Sequence, residues 1–175
     1  CVCMSTDCRA VEMELLAQNK ISKQHFSVHA NEEYIKWRFS NPHSDFLFFY
    51  YYEKDRLCAY VVVKLIGNRK YDVVDFHFEK ENQLRRLITY MHRWLHPQFI
   101  LHWTVNQNAE INKSPWKYNF ISLQFILKRI AKFNVPPFLI RTAKSQQQEQ
   151  DWMVEGVDMR DNMNWDLHKI VADEI

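Results

Sequence analysis

The sequence predicts an α/β domain of the α+β kind, a mixed sheet with flanking helices. Three observations carry that expectation. Residues 45–78 hold three strand-like runs, DFLFFYYY, LCAYVVVKL and YDVVDFHF, separated only by short loops. One amphipathic run, NQLRRLITYMHRWL at 82–95, follows directly, and a β-rich run, FILHWTV at 99–105, comes after Pro97. Strands joined by tight loops make an antiparallel meander, and a strand–helix–strand crossover sets its two strands parallel. The expected sheet therefore changes from antiparallel to parallel, with a cleft at the changeover.

Each element follows from local chemistry. Residues 6–19 suggest a helix, with Asp7 as cap and Val11, Leu15 and Leu16 at helical spacing. Asn31 caps a second, short helix carrying Tyr34, Ile35, Trp37 and Arg38; Asn41-Pro42 ends it, because a residue before proline avoids the helical region. The meander turns fall at 53–56 and at 67–70, the latter on one of two glycines. The second strand is apolar at nearly every position, as expected when both faces are covered. Alternation along the third puts Val73, Asp75 and His77 on one face and Val74, Phe76 and Phe78 on the other. In the helix, Leu84, Leu87, Ile88, Met91 and Leu95 form an apolar stripe, and Arg85, Arg86, Tyr90 and Arg93 line much of the rest. Beyond 105, residues 106–118 suggest a short helix, 120–130 and 137–142 late strands and 146–150 a mobile polar loop; the tail reads as a last strand at 165–170, with a short helix as the alternative.

Composition bounds the function. The 175 residues suffice for one core. A net charge of +2 gives no electrostatic case for a nucleic-acid partner. No apolar run reaches the roughly 20 residues that span a bilayer, and no secretion signal is visible. Cys1, Cys3 and Cys8 form C-x-C-x4-C, which lacks the paired C-x2-C spacing of metal sites. The expectation is no metal and a frayed terminus with reduced thiols; Cys58 is expected in the core. Reduced cysteines without a signal favour the cytoplasm. The first residue is not Met, and the expectation is a fragment. Residues 1–30 are then a helical, partly disordered segment left from missing upstream sequence, and 31–175 the main domain.

This strand and helix order resembles the GNAT (Gcn5-related N-acetyltransferase) fold, closest to divergent GNAT-like proteins of bacterial polysaccharide and envelope gene clusters. Those often carry W-[RK]-[FY]…N-P, matched by Trp37-Arg38-Phe39-Ser40-Asn41-Pro42. Their C-terminal P-x-Φ-Φ-R and W-x-L…D patterns, with Φ apolar, are matched by Pro137-Phe138-Leu139-Ile140-Arg141 and by Trp165-Asp166-Leu167 with Asp173. The resemblance implies direct transfer of an acyl group from acetyl-CoA or another acyl-CoA to a small amine such as an amino sugar. A base removes the amine proton and an acid protonates the leaving thiolate. The base candidates are Asp75, on the strand where relatives often hold an acid, and His102 on the neighbouring parallel strand, with His77 a third; Tyr118 matches the region of the acid tyrosine. Asp75 and His102 could pair if they share a side. The plainer reading of each is a hydrogen-bonded structural residue.

The implied cofactor site joins the strand end, Phe76, His77 and Phe78, to a loop resembling R-G-x-G-Φ-G at the helix start. Here that loop reads Lys80-Glu81-Asn82-Gln83-Leu84-Arg85, and all three glycines are replaced. Lys80, Asn82, Gln83, Leu84 and Arg85 are the residues carried over. The alternative function is a GNAT-like domain with a degenerate CoA loop, acting as a non-catalytic binding or scaffold module. A third, transfer from an aminoacyl-tRNA, expects a second paired domain. The aromatic run at 46–52, Trp37 and Trp116 are expected to pack rather than bind.

Overall fold

The structure is a computed structural model, and it describes residues 1–18, 26–27, 30–102, 152–160 and 165–166. The described elements run β1 (Val2–Ser5), α1 (Ala10–Gln18), β2 (Phe26–Ser27), α2 (Glu32–Phe39), β3 (Phe46–Glu53), β4 (Arg56–Gly67), β5 (Lys70–Phe78), α3 (Glu81–Leu95), β6 (Phe99–His102), β7 (Met153–Val154), β8 (Val157–Asp158) and β9 (Trp165–Asp166). The main sheet has the order β1-β3-β4-β5-β6. Its first four strands are antiparallel neighbours, and β5 and β6 are parallel, as the strand–helix–strand unit requires. The small pairs β2-β9 and β7-β8 complete the described strands.

The meander turns are two residues long. Lys54 and Asp55 both take positive φ, 49° and 63°, the geometry that matches the twist of a tight hairpin. The β7–β8 turn uses Glu155 and Gly156 in the same way, with Gly156 at φ 81°. Asn31 caps α2 as expected, its Oδ1 accepting from the Tyr34 N–H at 2.8 Å. The α3 stripe of Leu84, Leu87, Ile88, Met91 and Leu95 is buried throughout. At its C-terminus His96 is left-handed, and its carbonyl accepts from the Arg69 Nε at 2.7 Å. The Gln98 N–H in turn donates to the Arg69 carbonyl at 2.8 Å. The β4–β5 turn thereby holds the end of α3 and aims the chain into β6.

Two cores result, one on each side of the sheet. On one, α3 covers Phe49, Tyr51, Ala59, Val61, Val63, Tyr71, Val73, Phe76 and Phe78. On the other, Ala10, Met13 and Leu16 of α1 and Ile35 of α2 cover Phe46, Phe48, Tyr50, Leu57, Tyr60, Val62 and Val74. The aromatic run at 46–52 thus feeds both cores, as expected of packing. Cys58 is fully buried.

Four expectations are corrected. The N-terminus is not frayed: Val2–Ser5 pairs with β3 from Val2↔Tyr51 to Ser5↔Phe48, and the Cys1 carbonyl accepts from the Tyr52 N–H at 2.7 Å. The first helix starts at Ala10, not near Asp7. The Tyr50 hydroxyl donates to the Asp7 carbonyl at 2.9 Å and accepts from the Arg9 N–H at 3.0 Å, which holds that stretch as a link. Its buried face is Ala10, Met13 and Leu16, leaving Val11 and Leu15 exposed, because Met13 seats against the Tyr50 hydroxyl. Trp37 is 71% exposed, touching Tyr34 at a ring distance of 5.9 Å.

The fourth correction bears on chemistry. Val62 pairs with Asp75 but Val63 pairs with Val73, so Val74 is an extra residue, a β-bulge. The bulge breaks the alternation expected along β5. Val73, Phe76 and Phe78 face α3, whereas Val74 lies in the core under α1 and α2 and Asp75 bonds to Tyr60 of that core. The expected elements within residues 106–150, including Trp116, and at 167–175 lie outside the described residues.

Candidate functional site

The predicted site residues divide between the two faces. Asp75 is buried at 4% exposure on the α1/α2 side. The Tyr60 hydroxyl, with no exposed surface, donates to its Oδ2 at 3.0 Å. His77 is half-buried and lies 5.5 Å from the Tyr60 ring. Arg38 of α2 is buried over the same region.

These groups sense one another. Burial, then the charge and hydrogen bond of Asp75, push the Tyr60 hydroxyl well above its ordinary pKa. Burial, aided by the Asp75 charge, pushes the Cys8 thiol up to about 11. Burial also raises Tyr34 and lowers Arg38, and in both cases the Asp75 carboxylate acts in the direction of keeping protons bound. Cys8, Tyr34 and Arg38 are thus near enough to the Tyr60–Asp75 hydrogen bond for the Asp75 charge to act on them. The sequence reading missed Tyr60, Arg38, Tyr34 and Cys8 as its neighbours. The available signal was a tyrosine inside an apolar strand, which burial makes costly unless its hydroxyl finds a partner.

His102 does not stand across from Asp75. Its backbone pairs with Val73, and the bulge separates Val73 from Asp75 and turns the two to opposite faces. Tyr118 lies outside the described residues.

The expected cofactor residues sit on the α3 side, apart from His77. Phe76 and Phe78 are buried and stacked at 6.2 Å, in the same core as Leu84. Asn82 and Arg85 are exposed on the outer side of α3. Lys80 is the N-cap, in extended conformation. Gln83 is buried at 1% exposure, and its Oε1 accepts from the Lys80 N–H at 2.8 Å. This is one half of a capping box, since lysine cannot supply the reciprocal acceptor. The N–H groups of Gln83 and Leu84 both turn to the Lys80 carbonyl, at 3.1 and 3.4 Å, and the Glu79 N–H goes to the Cys58 carbonyl at 3.0 Å.

That arrangement can be tested against a diphosphate. An anion at a helix start needs outward-facing N–H groups with no side chain across them. Here the N–H groups of Glu79, Lys80, Gln83 and Leu84 have partners within the chain, a buried glutamine occupies the middle glycine position, and Glu81 adds a carboxylate in the first turn. The buried Gln83 side chain and the Glu81 carboxylate both work against a diphosphate held by backbone groups at the start of α3.

No family model matches this chain, and no curated protein matches it. Among the described residues, no cluster of His, Cys, Asp and Glu could hold a metal ion, and no helix is long and apolar enough to cross a membrane.

Proposed function

We propose that this chain is a GNAT-like domain that works as a binding module, its cofactor loop closed by its own side chain. One observation carries the reading: Gln83, buried at 1% exposure, caps the Lys80 N–H where an acyl-CoA enzyme would need an open backbone. The expected base, Asp75, is correspondingly engaged by Tyr60 rather than open to an acceptor.

The second reading is an N-acyltransferase that uses acetyl-CoA or another acyl thioester on an amino sugar or similar amine. It is favoured by the sheet order β1-β3-β4-β5-β6 with a parallel last pair, in which Val2–Ser5 supplies a first strand to the meander. Asp75 beside a bulge on the central strand also suits it.

Calorimetric titration with acetyl-CoA, combined with a free-thiol assay over amino-sugar acceptors, separates the two. The module reading expects no thiol release, and acetyl-CoA binding gained when Glu81→Gly and Gln83→Gly are combined. Thiol release by the unaltered chain overturns it in favour of the transferase. No gain in the folded glycine variant, checked by circular dichroism, removes the loop as the cause.

A further inference from the structure

The outer side of α3 bears a groove of about 400 Å³, lined by Asn82, Arg85, Arg86, Thr89, Tyr90 and Arg93. Among the described residues the lining holds three guanidiniums and no acid. Among the described residues, no carboxylate forms a salt bridge with Arg85, Arg86 or Arg93. A helix face built for solubility alone usually interleaves opposite charges at i,i+4 spacing. Here Glu81 stands four residues before Arg85, but Arg86 and Arg93 have no acid at that spacing, and the concavity itself gathers the three guanidiniums.

One wall is fixed in place. The Arg86 Nη1 donates to the Tyr51 hydroxyl of β3 at 3.2 Å. Tyr90 meets Phe49 of β3 edge to face, with centroids 6.3 Å apart. The Thr89 hydroxyl donates to the Arg85 carbonyl at 2.8 Å, so towards a ligand it is an acceptor, and the guanidiniums and the Asn82 amide are the donors. Through Arg86 and Tyr90 the groove rests on β3.

We propose that this groove binds a soluble phosphate-bearing ligand of about diphosphate or sugar-phosphate size. Guanidinium forks match phosphate oxygens two at a time, and several forks along one concavity reward a multivalent anion. The volume lies at the small end of small-molecule sites, which run from roughly 300 to 1,000 Å³. A membrane-docking face would lead with apolar side chains; among the described lining residues the one aromatic ring is Tyr90, which is half-buried against Phe49. The whole chain carries only +2, so recognition must come from this local gathering of positive charge and not from overall attraction. The proposal stands whether the domain is a module or a transferase.

Inorganic pyrophosphate is the probe, titrated calorimetrically at low ionic strength against the unaltered chain, the R85Q/R93Q variant and K36Q. Arg85 and Arg93 are exposed, so their replacement leaves the core intact. Lys36 removes an equal charge per residue from α2, on the other face. The expected result is saturable one-to-one binding that weakens at least about tenfold for each guanidinium lost, since hydrogen bonds to charged groups carry such effects, and that K36Q leaves nearly unchanged. Absence of saturable heat overturns the proposal. So does equal weakening by K36Q, or attachment to phosphatidylglycerol vesicles without pyrophosphate binding. Acetyl-CoA heat abolished by R85Q/R93Q belongs to this groove and not to the start of α3.

Discussion

The two faces of the sheet bury different chemistry from the same strands. The α3 face is closed by aliphatic and aromatic side chains, with its charges outside. The α1/α2 face encloses Asp75, Tyr60, Arg38, Tyr34 and Cys8 among apolar neighbours. Non-directional packing holds the first, and directed hydrogen bonds and charge set the second. The difference starts at one residue, Val74, whose bulge sends Asp75 inward on the α1/α2 side.

The largest break is expected on the α3 face. Leu87 has no exposed surface and lies in the middle of the helix stripe. Leu87→Ala removes buried methyl groups and leaves a cavity, so unfolding in urea should show a loss of about 3 kcal/mol. A loss below 1 kcal/mol would mean that α3 packs far more loosely than this geometry requires.

On the α1/α2 face the corresponding change is Tyr60→Phe. The ring volume stays, but Asp75 loses the donor at 3.0 Å. A hydrogen bond to a buried charge is worth about 2 kcal/mol, because the carboxylate left behind is poorly solvated. A double-mutant cycle with Asp75→Asn measures the coupling directly. Additive single effects would refute it.

Response to pH sharpens the contrast. The folded state raises the Cys8 thiol to about 11 from 9.0, so the protonated form is the one the fold favours. Its contribution is complete below pH 9 and disappears as pH rises through about 11. On the α3 side, burial lowers the pKa of His92, so the neutral imidazole is favoured and stability falls as the unfolded chain takes up protons below its ordinary value near 6.5. Urea midpoints should therefore decline at both extremes. Cys8→Ser should flatten the alkaline arm and His92→Gln the acid arm; swapped effects would reverse the assignment of the two faces.

How much of this was legible follows the same division. The three meander strands, their tight turns and the α3 stripe came from period and punctuation, because apolar packing repeats itself along the chain. The bulge did not, since one extra residue leaves no mark in a run of Val and aromatic residues, and every face past Val74 is reversed relative to Val73 because of it. The strand Val2–Ser5 was hidden because four residues, two of them the thiol Cys3 and the hydroxyl Ser5, are too few to show a strand-like pattern; only pairing with β3 makes them one. Gln83 was readable as a missing glycine, but not as a cap folded back on Lys80. The basic residues along α3 were readable as charge, not as a groove, because concavity depends on how Arg86 and Tyr90 lean against β3.

The smallest effect is expected where both faces meet solvent. Arg56, at the start of β4, pairs with Glu79 just past β5, with Nη2 and Oε2 2.9 Å apart. Two parallel contacts give the pair better geometry than a single lysine bridge would have. The Arg56 side chain is nevertheless 60% exposed, so water and salt screen most of the attraction. The same junction is also held by the Glu79 N–H on the Cys58 carbonyl at 3.0 Å, which does not depend on charge. Arg56→Ala should therefore cost only about 0.5 kcal/mol, as exposed pairs do, and less in high salt. A loss comparable to that of Tyr60→Phe would show that the surface pair, and not the backbone bond beside it, fixes the entry of β5 into α3.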